Sequence, residues 1–196
     1  MASAGVVFDG SPGTAAPPAT LGPYTMTQFP ADPTSLGTVL SSIPSPLGGS
    51  LGFIGDVKHY RVGSGWATWS HGYTGDIYYT RGATSLTLTM PPDTGAFYFY
   101  AEPNPFATFL ITATADDGTT SGPIAVTGHS GAKYYGFYGT AGSNIVSIDV
   151  SSSVDFAVGE FGIESPPVDI PEFASVAIPV ISIIGLMFLF QRRKGK

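Results

Sequence analysis

Few residues in this chain have types and spacing suited to chemistry. His59, His71 and His129 stand apart, without the paired H-x3-H spacing of a metal centre. Ser70 and His71 are adjacent, which does not make a triad, and Gly128-His129-Ser130-Gly131 is not the G-x-S-x-G of a hydrolase elbow. These histidines read as surface loop residues. Glu102 and Glu160 could be imagined as a glycosidase pair, a chemistry that needs two carboxylates roughly 5–10 Å apart. Nothing in the sequence places them together. The alternative is a strand-end carboxylate, solvated or paired with Arg61 or Arg81. Asp116-Asp117 and the pair Asp149 and Asp155 could bind a structural Ca²⁺, although neither has the ligand density of a D-x-[DN]-x-[DN]-G loop. Walker and Rossmann loops are absent, so no cofactor is expected, and no residue is assigned a catalytic role. The chain is read as a non-enzyme.

The aromatic stretch is more suggestive. Trp66, Trp69 and Tyr73 are followed closely by Tyr78 and Tyr79, and Tyr134-Tyr135-Gly136-Phe137-Tyr138 forms a second cluster. Sugar rings have apolar C–H faces that stack on exposed Trp and Tyr, while polar neighbours hold the hydroxyls. Trp66, Trp69, Tyr73 and Tyr78 are therefore the candidate carbohydrate contacts. The competing reading is core packing, because alternate aromatics of a strand must point inward.

Composition narrows the partners. The chain of 196 residues has no Cys, which removes disulfide scaffolds, Cys-ligated zinc and thiol catalysis. Charged residues make up only 11% and aromatics 13%, with 26 Gly and 17 Pro, a balance that favours strands and turns over helices. Four of the eight basic residues lie in the last five positions: Arg192, Arg193, Lys194 and Lys196. The remaining body, residues 1–190, sets four basic residues against fourteen acidic ones, a net charge of −10. Such a body repels phosphate backbones, so nucleic acid is excluded as a partner.

The elements that must position the aromatics are strands. Leu86, Leu88 and Met90 alternate with Thr87 and Thr89. Phe97 and Phe99 share one face, with Tyr98 and Tyr100 opposite. Phe109, Ile111, Ala113 and Ala115 alternate with Thr108, Leu110, Thr112 and Thr114, and Val146, Ile148 and Val150 face away from Ser147 and Asp149. Val154, Phe156 and Val158 close the series. Turns at Pro91–Gly95 and Asp116–Thr119 separate runs at the spacing of sandwiches, with Gly118 supplying a positive φ. Eight to ten strands are expected between Leu51 and Ile163. The fold class is all-β: an antiparallel two-sheet sandwich, jelly-roll-like, followed by one C-terminal transmembrane helix. The expected divisions are a flexible N-terminal segment over 1–22, the sandwich over 23–163, with irregular chain over 30–50, and a Pro-rich spacer over 164–172. A transmembrane helix over 173–190 and a basic tail over 191–196 complete the chain. Ala2-Ser3-Ala4 fits the small-residue pattern that ends a signal peptide, so the chain reads as a mature form or one whose start was placed late.

The C-terminus carries the strongest signal. Phe173 to Phe190 holds no charged residue, and as a helix it would span roughly 27 Å, enough for a bilayer core. The basic residues that follow predict a cytoplasmic tail and an extracellular body. Pro171-Glu172-Phe173, then an apolar stretch, then Gln191-Arg192-Arg193-Lys194, resembles the PEF-CTERM sorting signal of archaeal surface proteins, a relative of bacterial PEP-CTERM. The resemblance covers residues 170–194. It implies recognition by an archaeosortase-type transpeptidase in the membrane, cleavage near Pro171-Glu172-Phe173 and attachment of the body to a surface lipid, so that the apolar stretch is an address in the manner of a GPI signal. An uncut C-terminal anchor is the other reading. In the body, GWATWSHGYTGDIYY, FYFYAEP and VDFAVGEFGI look like small secreted sandwich domains that precede such tags. The expected function is an exported surface protein with a structural or adhesive role in the envelope or extracellular matrix, touching polysaccharide. The alternatives are an extracellular carbohydrate-active hydrolase or a self-associating surface-layer subunit.

Overall fold

Wherever apolar residues alternate with Thr, Ser or Tyr between turn formers, the chain is extended. The computed structural model describes residues 4–165. The spacer beyond residue 165, Pro171-Glu172-Phe173, the apolar stretch 173–190 and the basic residues Arg192, Arg193, Lys194 and Lys196 lie outside the described residues. Among the described residues no helix is long and apolar enough to cross a membrane.

The strands are β1 (Gly5–Asp9), β2 (Thr20–Leu21), β3 (Tyr24–Thr25), β4 (Thr27–Gln28), β5 (Val39–Pro44), β6 (Ser50–Val62), β7 (Gly65–Trp66) and β8 (Asp76–Tyr79). They continue as β9 (Ser85–Thr89), β10 (Ala96–Pro103), β11 (Thr108–Ala115), β12 (Ile124–Thr127), β13 (Lys133–Thr140), β14 (Ser147–Ser152) and β15 (Phe156–Glu164). One large sheet runs β1-β13-β10-β15-β8-β6-β9-β14-β11-β12, with β4 on β15 and both β5 and β7 on β6; β2 and β3 form a separate hairpin. All ladders are antiparallel except β6 with β7.

The two-sheet expectation is corrected in one respect: the two layers are halves of a single curled sheet. The thirteen-residue β6 joins them. Its Gly52–Ile54 stretch pairs with β9, and its Lys58–Tyr60 stretch pairs with β8. Between them Gly55 and Asp56 take φ values of 118° and 43°, which bend the strand from one half to the other. Phe97, Phe99, Tyr135 and Phe156 from the first half meet Phe53, Leu88, Ile111 and Ile148 from the second in one core. Each such fully buried apolar side chain stabilises the fold by about 2 kcal/mol.

The alternations read from sequence hold over most of their length. Leu86 and Leu88 are buried, and Thr87 and Thr89 are not. Phe97 and Phe99 lie in the main core, while Tyr98 and Tyr100 lie in a second cluster on the opposite face. Val146 departs from the pattern: it precedes β14 and is 64% exposed.

The N-terminal segment also departs from its expected role as a flexible lead-in. β1 pairs residue by residue with β13, from Gly5 opposite Thr140 to Asp9 opposite Gly136. Beyond it the chain is strapped down: the Gly13 carbonyl accepts from Tyr134 N at 2.9 Å and the Ala15 carbonyl accepts from the Tyr100 hydroxyl. Pro and Gly removed the periodicity there without removing the bonding capacity of the backbone. Within 30–50, expected as irregular chain, β5 forms a ladder with β6.

Candidate functional site

The site is built on an irregularity in β15. Opposite β10 the register shifts between Tyr98, which faces Gly162, and Tyr100, which faces Gly159. Glu160 and Phe161 therefore share the space opposite Phe99, and Glu160 takes a φ of 54°. A left-handed backbone at a non-Gly residue costs free energy and persists only where its surroundings hold it. At this point β15 also changes partner, from β8 at Ala157–Gly159 to β4 at Gly162–Ile163. The gap between those two ladders opens as a cleft of about 430 Å³, lined among others by Gln28, Phe29, Arg61, Tyr73, Asp76 and Glu160.

Two carboxylates form its polar posts. Glu160 Oε1 lies 2.8 Å from His71 Nε2, and Oε2 accepts from Trp69 Nε1 at 3.2 Å. His71 also has a left-handed backbone, with φ 41°, and its Nδ1 lies 3.1 Å from the Thr14 carbonyl and 2.9 Å from Ser70 Oγ. Asp76 Oδ1 accepts from Arg61 Nη2 at 2.7 Å, from Arg61 Nε at 3.0 Å and from His59 Nε2 at 3.0 Å. Its Oδ2 accepts from the Asp32 backbone N–H at 2.8 Å. Asp32 in turn accepts from the Tyr78 hydroxyl at 3.0 Å. His59 Nδ1 has no hydrogen-bond partner among the described residues, at a fully buried residue stacked on Tyr78.

The two posts differ electrostatically. Burial pushes the Glu160 carboxyl above its ordinary value, against the opposing pull of His71 and Trp69. Burial acts on Asp76 in the same direction, but bonds from the Asp32 N–H, His59 and Arg61 outweigh it and hold the group below its ordinary value. One cleft thus has a carboxylate held firmly ionised beside one that binds its proton more tightly. Every carboxylate oxygen of the two nevertheless has a protein hydrogen-bond partner.

Glu102 sits elsewhere. On β10 it is opposite Ala157, and it is fully buried, with Trp66 Nε1 at 2.9 Å, Gly131 N at 3.0 Å and Thr68 Oγ1 at 3.4 Å. Burial raises its pKa. The fold thus gives each Glu its own Trp partner, and neither Glu pairs with Arg61 or Arg81; Arg61 is bound to Asp76 instead.

Of the aromatic candidates, Trp66 and Trp69 are 7% and 4% exposed and Tyr78 is 3% exposed, so their rings belong to the packed interior. Tyr73 is half-buried and lines the cleft, its hydroxyl donating to the Asp76 carbonyl at 3.1 Å. The four aspartates considered for Ca²⁺ are engaged locally. Asp116 accepts from Val146 N, Asp117 from Val6 N and Thr119 N, Asp149 from the Thr87 hydroxyl, and Asp155 from Tyr79 and Asn104. Among the described residues no group of three or more His, Asp or Glu could hold a metal ion.

Sequence reasoning missed the His59, Arg61 and Asp76 cluster. The available signal was the i, i+2 spacing of His59 and Arg61, which puts both on one face of a strand. Nothing local announced Asp76 as their partner.

No curated protein matches the chain. The likeness of the body to sandwich domains that precede such tags gains no support, since the family match lies entirely in the C-terminal segment. Residues 170–194 match the PEF-CTERM archaeal protein sorting domain, which marks the chain as an exported protein processed at its C-terminus by a sortase-like enzyme at the membrane.

Proposed function

We propose that the β-domain is a non-catalytic surface module that holds neutral polysaccharide of the envelope or matrix in the cleft at the β15 bulge. A membrane transpeptidase recognises Pro171-Glu172-Phe173, the apolar stretch 173–190 spans the bilayer before processing, and Arg192, Arg193, Lys194 and Lys196 lie on the cytoplasmic side. The observation that carries the binding reading is the saturation of Asp76 and Glu160. Both oxygens of each are hydrogen-bonded to protein groups, so both act as posts that fix Arg61, His71 and Trp69. What remains for a ligand is the half-buried face of Tyr73, the outer edge of the Arg61 guanidinium, 42% exposed, and the side chain of Gln28. A net charge of −10 over residues 1–190 disfavours polyanions and leaves uncharged chains as the fitting class.

The hydrolase reading rests on one specific observation, that Asp76 and Glu160 line the same cleft with opposite protonation tendencies. A single experiment separates the two. The full chain in detergent micelles is incubated with soluble glucan, mannan and galactan, and both retention on the polymer and release of reducing ends are followed. Retention without new reducing ends, weakened by Arg61→Ala, is expected. Release of reducing ends that Glu160→Gln abolishes would establish the hydrolase, and absence of retention on every polymer would end the binding proposal.

A further inference from the structure

A second concavity lies away from the bulge. Gly65, Trp66, Ala67, Asn104 and Phe106 line a cleft of about 330 Å³, and Phe106 is 66% exposed. An exposed Phe on a loop usually has freedom to fold back, but this one is braced. Its ring meets His129 edge-on at 5.5 Å between centroids. The loop that carries it is pinned at both ends, by Asn104 N on the Asp155 carbonyl and by Gly128 N on the Ala107 carbonyl, each at 2.9 Å. Behind the cleft, the buried Glu102 fixes Trp66 through its indole N–H. The amide nitrogen of Asn104 donates to Asp155 at 3.0 Å, which leaves the Asn104 carbonyl as an acceptor.

Position adds a second argument. β15 runs antiparallel to β10, so Phe156 lies opposite Pro103 and Glu164 opposite Ala96. The chain leaves toward its sorting segment from Glu164, and Phe106 lies beyond the other end of the ladder, about 26 Å away along nine residues of strand. Only the residues between Glu164 and the sorting motif at Pro171 connect the domain to the membrane, a reach of at most about 25 Å. The Phe106 end is therefore the end of the ladder opposite the one from which the chain leaves for its sorting segment.

We infer that the Phe106 cleft is a second binding site, for an uncharged saccharide chain presented from outside the cell, with the Phe106 ring stacking on a sugar face and Asn104 bonding a hydroxyl. The lining contains no charged side chain, which fits a neutral ligand and gives an ionic peptide nothing to pair with. The net charge of −10 on the body opposes a second copy of the same chain in that place. The site shares its ligand class with the bulge cleft but none of its residues, so either can fail without the other. With both filled, one domain would bridge two polymer chains, and avidity would exceed either affinity.

The chain has two tryptophans, and Trp66 lines this cleft. Trp69→Phe therefore leaves Trp66 as the sole indole reporter and also removes the indole donor to Glu160 of the bulge cleft. Titration of that variant, full length in micelles, with soluble glucan and mannan oligosaccharides should shift Trp66 emission saturably. Adding Phe106→Ala should weaken the apparent affinity about tenfold, the loss of one stacked ring. Phe106→Ala in the wild-type background, with unchanged far-UV circular dichroism, keeps the test independent of any folding defect from Trp69→Phe. An emission shift that Phe106→Ala leaves untouched overturns the site. So does the absence of any shift with either sugar, or a shift that follows protein concentration in sedimentation instead of sugar concentration.

Discussion

The outer faces of the two sheet halves use the same strand geometry in opposite ways. On the second half, β9, β14 and β11 present Ser85, Thr87, Asp149, Ser151, Thr112 and Thr114 to solvent, with apolar partners beneath. On the first half, Tyr98, Tyr100, Tyr134 and Ile77 point outward and are buried again, under the β2–β3 hairpin and the segment carrying Trp66 and Trp69. A face that is covered must satisfy the polar groups it traps, and those groups are Glu102 and Glu160. The open face needs only solubility. Polar residues on the covered half therefore carry structure and the candidate sites, while those on the open half are replaceable.

The sharpest way to break this comparison is to remove one trapped carboxylate. Glu102→Ala would orphan Trp66 Nε1–H and the Gly131 N–H in a dry site and should cost about 4 kcal/mol. Asp149→Ala, its exposed counterpart bonded to the Thr87 hydroxyl, should change stability by less than about 0.5 kcal/mol. Urea unfolding followed by circular dichroism measures both, and equal costs would erase the distinction.

Glycines give the next test. A Cβ on Gly139 of β13 would lie 1.8 Å from the Ser143 carbonyl oxygen, a backbone atom that cannot step aside, so Gly139→Ala should cost about 3 kcal/mol. A Cβ on Gly52, at the edge of the open face, meets the Thr89 hydroxyl at 2.2 Å, and a χ1 rotation relieves it. Gly52→Ala should cost no more than about 1 kcal/mol by the same measurement.

The smallest expected effect is a pair of opposite pH slopes within the covered half. The raised Glu102 pKa means that the folded state holds that proton more tightly than the unfolded chain does. Stability from this group is complete below the ordinary carboxylate value of 4.5 and is lost as pH rises through the folded value. Glu102→Gln should thus gain on the wild type as pH increases above 4.5. Asp76, held below its ordinary 3.8, contributes stability above that value and loses it as pH falls through its lowered folded pKa. The deficit of Asp76→Asn should shrink in acid. Slopes of the same sign in a urea series from neutral to acid pH would contradict the electrostatic contrast between these two carboxylates.

The sequence makes one of the two faces legible and hides the other. Leu86, Leu88, Ile111, Ile148 and Val150 alternate with Thr and Ser, and a period of two assigns both their strand and their burial. The FYFYAEP run identifies a strand but cannot say that its tyrosine face is covered, because the cover comes from residues 10–28 and 65–73, which have no periodicity of their own. The bulge at Glu160 is invisible for a related reason. It follows from β15 meeting β8 and then β4, elements far upstream in the chain. Long-range pairings of this kind also produced the separate Trp partners of Glu102 and Glu160, which no local spacing encodes.

The strand pairing sets a clock for export. Gly5 waits for Thr140 and Thr27 waits for Ile163, so the first strands made are among the last to find their ladders. A polypeptide threaded N-terminus first through a translocation channel stays unclosed until almost the whole body has emerged, because such nonlocal closure is slow and needs both partners present. By the time residue 163 is free, the next segment in the channel is the sorting signal at 170–194. For a chain threaded in that direction, closure of the β1 and β4 ladders and emergence of the sorting segment would fall close together.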